Sequence, residues 1–439
     1  MRAALLAVTA SAVLLAPAPV PAAAAAPTPA AATPVTGTPA AATEGAGTEG
    51  AVAARAVRCP RVAAPAVSRP PRPSPPPAVP QARVVGGDGL ATSGLVVPAG
   101  AGAPPAITAT SWLVADLDSG QVLGGCGPHE YGTPASVQKL LLAATMMPRL
   151  DPAQTVIVTA ADMNIEPGSS AVGLVEGGRY TIETIWLGLL LNSGNEAANA
   201  LARLGGGPDG AAGGVRAMNE QAHHLGALQT HAVTPSGLDG RGQFTSAYDL
   251  ALIARACFAQ PTFRRYALTQ QATIPAQPAQ RTKGFQIQNE NQLIYRYPGA
   301  LGGKTGFTDL ARHTYVGAAE RDGRRLVVTL LGAEPAPRRG WEQGAALLDW
   351  GFSLPRDAGV GRLVEPGELT ATPSAAPSAL AAPGPPRPAA ASGAARTGSG
   401  WLWSVVALSG AGVLALLGGL LWHRRRRLPG QIDNGPRHP

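Results

Sequence analysis

Between about residues 106 and 355 this chain reads like an ordinary folded protein, and on either side of that stretch it does not. Most of its 43 prolines lie toward the two ends, in runs such as Ser74-Pro75-Pro76-Pro77. Proline fixes φ and removes a backbone donor, so such segments are expected to be extended and to lack a core of their own. The central stretch is long enough to bury one substantial core. The organisation expected is therefore one folded unit, preceded by a spacer over 26–105 and followed by a linker over 356–400.

The two ends carry their own signals. Residues 1–25 combine Arg2, an apolar run from Ala3 to Leu15 and several Ala-x-Ala sites, the pattern of a secretory signal too short to cross a bilayer. From Trp401 to Trp422 there are 22 residues without a charge, rich in Leu, Val, Ala and Gly. As a helix they would span about 33 Å, enough for the hydrocarbon core of a membrane, with Trp401, Trp403 and Trp422 at its interfaces. A buried core helix is the alternative. Arg424 to Arg427 follow at once, so the 423–439 tail is expected on the cytoplasmic side and the folded region outside the membrane.

Net charge and cysteines exclude some functions. The chain is formally +8, but 106–355 holds 19 basic and 20 acidic side chains, a net of −1. The surplus sits in the flanks, so the folded region has no overall charge suited to nucleic acid. Cys59, Cys126 and Cys257 match no metal spacing. Cys59 with Cys126 is one pairing open to an exported protein, since Cys257 lies in the apolar run from Leu250; three free thiols is the other reading.

Local patterns give the fold class. Ser111–Asp116 reads as a strand closed by a turn at Asp118-Ser-Gly120. Thr314–Ala319 and Arg325–Gly332 flank Asp322-Gly323, a hairpin signal. Apolar helical stretches follow Ser136 and cover Thr181–Leu191, Asn195–Leu204 and Trp341–Trp350. The expected fold is α+β, with helices packed on an antiparallel sheet in a single domain.

Three short segments carry chemistry. Ser136-Val-Gln-Lys139 opens an apolar helix and places both side chains on one face. A serine hydroxyl needs a base, and a lysine with a depressed pKa can be one; a surface coincidence is the plainer reading. Ser193-Gly-Asn195 offers a proton relay and an amide that can donate and accept, or simply a helix-start cap. Lys304-Thr305-Gly306-Phe307, with Gly302 and Gly303 before it, suits an edge strand that something approaches closely, or a basic turn.

Ser136, Ser193 and Lys304 occur in this order, 57 and 111 residues apart. Together, Ser-x-x-Lys, Ser-x-Asn and Lys-Thr-Gly form the signature of penicillin-binding proteins and serine β-lactamases. With Pro167–Gly173, Ser236-Gly-Leu-Asp239, Tyr297-Pro-Gly299 and Leu347–Phe352, the region from about 107 to 352 resembles the D-alanyl-D-alanine carboxypeptidases of low molecular mass. The resemblance implies a transpeptidase-like fold with its site between helices and sheet. It implies Ser136 as nucleophile, Lys139 as base, Ser193 as proton relay and Asn195 as a substrate ligand. Lys304 would polarise Ser193 and, with Thr305, receive the substrate carboxylate, while the N–H groups of Ser136 and Phe307, beside Gly306, would hold the oxyanion. Arg339, or its neighbour Arg338, is the match for a carboxylate-binding arginine. Peptidoglycan stem peptides are the implied substrate and β-lactams the implied covalent inhibitors, with no cofactor or metal.

The chain departs from that family at Asp309-Leu-Ala-Arg312-His313, where many relatives have an Ala-Gly pair, a change expected to touch no motif residue. The family's common β-rich C-terminal domain is expected to be replaced by the linker and the helix from Trp401. Three rival readings are open. A class A-like β-lactamase needs a deacylating Glu, but Glu196, Glu220 and Glu290 lie in no Glu-x-x-Leu-Asn setting. The others are a non-catalytic cell-wall scaffold on the same fold and a metallohydrolase using His223, His224 and His231.

Overall fold

A computed structural model describes residues 56–370, apart from 69, 72 and 78. The expected signal sequence, the 401–422 segment and the basic tail lie outside the described residues. Along the chain come α1 (Pro80–Arg83), β1 (Leu95–Val96), β2 (Ser111–Asp116) and β3 (Gln121–Cys126). A 3-10 turn over Ala135–Gln138 then leads into α2 (Lys139–Met146). A small ribbon of β4 (Thr155–Ile157) and β5 (Arg179–Thr181) precedes α3 (Ile182–Asn192), α4 (Asn195–Gly205) and α5 (Gly210–His224). After α6 (Ala247–Ala259) and α7 (Pro261–Leu268), a second ribbon pairs β6 (Gln271–Ile274) with β7 (Phe285–Gln288). The rest is α8 (Leu293–Arg296), β8 (Ala300–Thr308), β9 (Arg312–Arg321), β10 (Arg324–Ala333), α9 (Gly340–Ser353) and β11 (Gly361–Arg362).

The main sheet is antiparallel, in the order β1-β3-β2-β10-β9-β8, with β11 also on β3. Both of its faces are covered, which is why β2 is buried at all six positions and its centre, Trp112 to Ala115, is an unbroken apolar run. Trp112 and Val114 point into a core under α9, while Leu113 and Ala115 point into the larger helical core on the other face. Leu347 and Leu348 of α9 are fully buried, worth roughly 1.5–3 kcal/mol each. Trp350 of the same helix meets Trp112 edge to face, with ring centroids 6.0 Å apart. On the other face α2 is buried all round, so it is the central helix of the helical layer.

The expected strands and helices are present with boundaries shifted by a few residues. Asp322 and Gly323 both have positive φ, 51° and 68°, the geometry that suits the right-handed twist of a tight hairpin. Asp116 Oδ1 accepts the N–H groups of Asp118 and Ser119, both at 2.9 Å, closing the β2–β3 turn.

The flanks are a correction. Residues 56–105 do not form a free spacer: Cys59 is disulfide-bonded to Cys126, Arg61 bridges Ile107, Leu90 is buried, and β1 pairs with β3. The expected linker likewise starts inside the fold, where β11 pairs with β3 and Leu363 and Val364 are buried. An uncovered β3 would expose a row of unpaired backbone groups, and two-residue strands from both flanks supply partners. Cys257 is the free, buried thiol.

Candidate active site

Ser136 sits where the helical layer meets the β8 edge of the sheet. The preceding Ala135 has φ 49°, a left-handed conformation that costs a non-glycine residue about 1–2 kcal/mol. Surrounding contacts hold it there: the Thr314 hydroxyl of β9 donates to the Pro134 carbonyl at 2.8 Å, and Gly237 packs against the Ala135 carbonyl. From this turn Ser136 lines the cleft.

Lys139 follows at the start of the all-buried helix and is itself fully buried. Its Nζ lies 2.8 Å from each of Ser136 Oγ, Asn195 Oδ1 and the Ser236 carbonyl. Three acceptors saturate an ammonium group. Burial, and then the positive charge of Lys304, pushes the Lys139 pKa well below its ordinary value, against the opposing pull of Glu196 and Glu290. An amine so placed can exchange a proton with Ser136.

Ser193 ends α3 in the left-handed conformation, φ 62° and ψ 27°, and Gly194 then leads directly into α4. Its Oγ is buried and has no hydrogen-bond partner among the described residues. Asn195 is buried too, with its N–H donating to the Ser170 carbonyl at 2.9 Å. Sequence reasoning had no structural part for Glu196. Its Oε1 accepts the N–H groups of Val172 and Gly173 at 2.6 and 2.8 Å, pinning the loop that walls the cleft.

Lys304 projects from β8 into the interior, where Nζ donates to the Thr305 carbonyl at 2.8 Å. Burial lowers its pKa to about 8, with Glu290 pulling the other way. No hydrogen bond joins Lys304 to Ser193. Gly306 brings β8 against the nucleophile turn: a methyl group there would lie 2.8 Å from the Ser136 nitrogen and 3.0 Å from that of Val137. At Gly303, φ is 148° and a side chain would meet the Val316 carbonyl, so glycine is needed on both sides of Lys304.

Ser136, Ser193, Asn195, Thr305, Gly306 and Phe307 line one cleft of about 650 Å³, with the carboxylates of Glu166, Asp239, Glu290 and Asp309 around it. Lys139 and Lys304 lie buried beside it. The structure thus gathers every motif residue. Arg338 and Arg339 are the exception: both are exposed and neither lines the cleft, and Arg339 is the cap residue of α9. The change at Arg312-His313 does touch a motif residue, for the Arg312 guanidinium lies 5.1 Å from the centre of the Phe307 ring.

Residues 99–335 match the model of a protein family described as D-alanyl-D-alanine carboxypeptidase. The chain belongs to that family. It is 45% identical over 273 residues to D-alanyl-D-alanine carboxypeptidase DacB2 of Mycobacterium tuberculosis, covering 61% of this chain and 90% of that one. It is 35% identical over 263 residues to the DacD carboxypeptidase of Salmonella typhimurium, covering 56% of this chain but 64% of the relative. A crystal structure of a D-alanyl-D-alanine carboxypeptidase from M. tuberculosis superposes with a TM-score of 0.57 at 44% identity, covering 61% of this chain and all of that one. A Streptomyces DD-transpeptidase structure gives 0.55 at 25% identity, covering 58% of this chain and all of that one. Membership of this family carries the penicillin-binding, α+β transpeptidase-like fold.

Proposed function

We propose that this chain is a serine-type D-Ala-D-Ala carboxypeptidase that removes the terminal D-alanine of peptidoglycan stem pentapeptides and is acylated by penicillins. The observation that carries this reading is the 2.8 Å contact between Ser136 Oγ and the buried Nζ of Lys139.

In the proposed reaction neutral Lys139 takes the Ser136 proton as Oγ attacks the carbonyl between the two D-alanines. Backbone N–H groups of Ser136 and Phe307 hold the oxyanion, in a geometry supported by the close approach of Gly306 to the Ser136 nitrogen. Ser193 relays that proton from Lys139 to the leaving amine, its buried hydroxyl having no hydrogen-bond partner among the described residues. Asn195 orients the peptide, and Lys304 with Thr305 receives the terminal carboxylate. Water then cleaves the ester at Ser136. A β-lactam follows the same first step, but its amine stays tethered and its ester persists.

The reading includes a place of action. The signal-like 1–25 segment and the uncharged Trp401–Trp422 run before Arg424 support export and a single C-terminal anchor, with the catalytic domain facing the cell wall. Fluorescent penicillin on intact cells tests both parts. Covalent label on the wild-type chain, none on Ser136→Ala, and loss of surface label after external protease are expected. Label unaffected by Ser136→Ala would sink the serine mechanism, and release of the unmodified chain into the medium would sink the anchor. D-Alanine release from a pentapeptide ending in D-Ala-D-Ala, lost in Lys304→Ala, separates a carboxypeptidase from a penicillin-binding scaffold.

A further inference from the structure

Arg312 occupies the corner between β8 and β9 with φ 58°, a conformation L side chains rarely adopt. Glycine would take this corner without strain, so the arginine side chain must repay its own backbone. It has two sets of contacts. Its Nε and one terminal nitrogen donate to Oε1 and Oε2 of Glu334, both at 3.0 Å, a two-pronged pair to a carboxylate only 1% exposed. The guanidinium also lies over the Phe307 ring, whose other neighbour, the His313 ring, is 4.7 Å away.

Glu334 is itself built into the body of the domain. Its N–H donates to the Thr108 hydroxyl at 2.9 Å, and its carbonyl accepts from Gln343 of α9 at 2.8 Å. A continuous tie therefore runs from α9 through Glu334 and Arg312 to Phe307. Phe307 needs such a tie, because the residue is 48% exposed at the wall of the cleft. Beyond it the strand end is held by the Thr308 hydroxyl on Asp239 at 2.9 Å and by the looser Asp309–Arg312 pair at 3.8 Å. Phe307 directly follows Gly306, the residue packed on the Ser136 nitrogen, so movement of the ring moves the backbone beside the nucleophile.

We propose that Arg312 is a positioning residue of this active site: pinned on Glu334 and stacked on Phe307, it fixes the β8–β9 corner and so sets the rate at which Ser136 is acylated. The inference rests on the proposed acyl-enzyme function. Arg312 touches no reacting atom, and its effect is on the placement of the Phe307 N–H. The lowered pKa of His313, caused by burial and then by the Arg312 charge, agrees with an uncharged imidazole packed against the ring.

The test is acylation of the full chain by fluorescent penicillin, resolved into a binding constant and a first-order acylation rate. Arg312→Gly removes the side chain and relieves the corner but strands a buried carboxylate, so it is paired with Glu334→Gln. The double variant is expected to keep the wild-type melting temperature within a few degrees, with acylation slowed about ten-fold and binding little changed. Arg312→Lys keeps the charge but not the fork or the planar stack, and should stay several-fold slow. Either variant acylating within two-fold of wild type overturns the proposal, as does a rate loss fully accounted for by loss of folded protein. No label on the wild-type chain would instead overturn the acyl-enzyme reading itself.

Discussion

Replacing Gly306 with alanine adds one methyl group at the point where the sheet meets the nucleophile. That methyl would lie 2.4 Å from Thr314 Oγ1, 2.8 Å from the Ser136 nitrogen and 3.0 Å from the Val137 nitrogen. None of these is the loose end of a flexible side chain: two are backbone, and Thr314 is held on the Pro134 carbonyl. Ordinary contact begins at 3.4 Å, so β8 must retreat from Ser136 by about 0.6 Å. Overpacking of this kind costs roughly 1–3 kcal/mol of stability. The larger effect is on rate, because a misplacement approaching 1 Å can cost about a hundred-fold in an aligned site. Gly306→Ala should therefore fold, melt several degrees lower, and acylate with fluorescent penicillin 10- to 100-fold more slowly. Stopped-flow labelling read beside a melting curve separates the two effects. Wild-type acylation in a folded Gly306→Ala chain would refute the argument that this contact positions the oxyanion donors.

The two buried lysines predict a bell-shaped pH dependence of acylation. Its rising limb reports loss of a proton from Lys139, whose pKa is depressed, and its falling limb lies near pH 8, where Lys304 loses its charge. Because the lysines interact, the limbs belong to the pair, and a rate still climbing at pH 10 would contradict the assignment. The linkage to stability has a fixed sign. Lys304 titrates lower when folded, so its burial penalty is present below about pH 8 and fades as pH rises from there toward its unfolded value of 10.5. Lys304→Met is accordingly expected to lose D-alanine release while melting higher than wild type at pH 7. The Cys59–Cys126 bridge closes a 67-residue separation, and replacing both cysteines with alanine should destabilise the domain by roughly 2–4 kcal/mol in a denaturant titration. The bridge lies on β3, several strands from β8, so the acylation rate of the folded double variant should be unchanged.

The sequence alone determined the parts whose signal is local. Period and turn chemistry marked β2, the β9–β10 hairpin and the major helices, and the three motifs named Ser136, Lys139, Ser193, Asn195 and Lys304. What it could not contain was distance. The Ser236 carbonyl meets Lys139 across 97 residues, and only the fold shows that this contact completes the lysine's three bonds. Glu196 follows a motif residue yet acts on a loop more than 20 residues earlier. Two-residue strands such as β1 and β11 have no period to read, so the Pro-rich composition around them suggested free chain where β3 needed partners. Arg339 matches by likeness alone and lies outside the cleft, whereas Arg312, in sequence only a change at a strand edge, reaches Phe307. The difference is physical. A helix face or a turn is set by neighbours within four residues, but an active site is made by backbones that approach within 3 Å from distant parts of the chain, and only packing decides which ones meet.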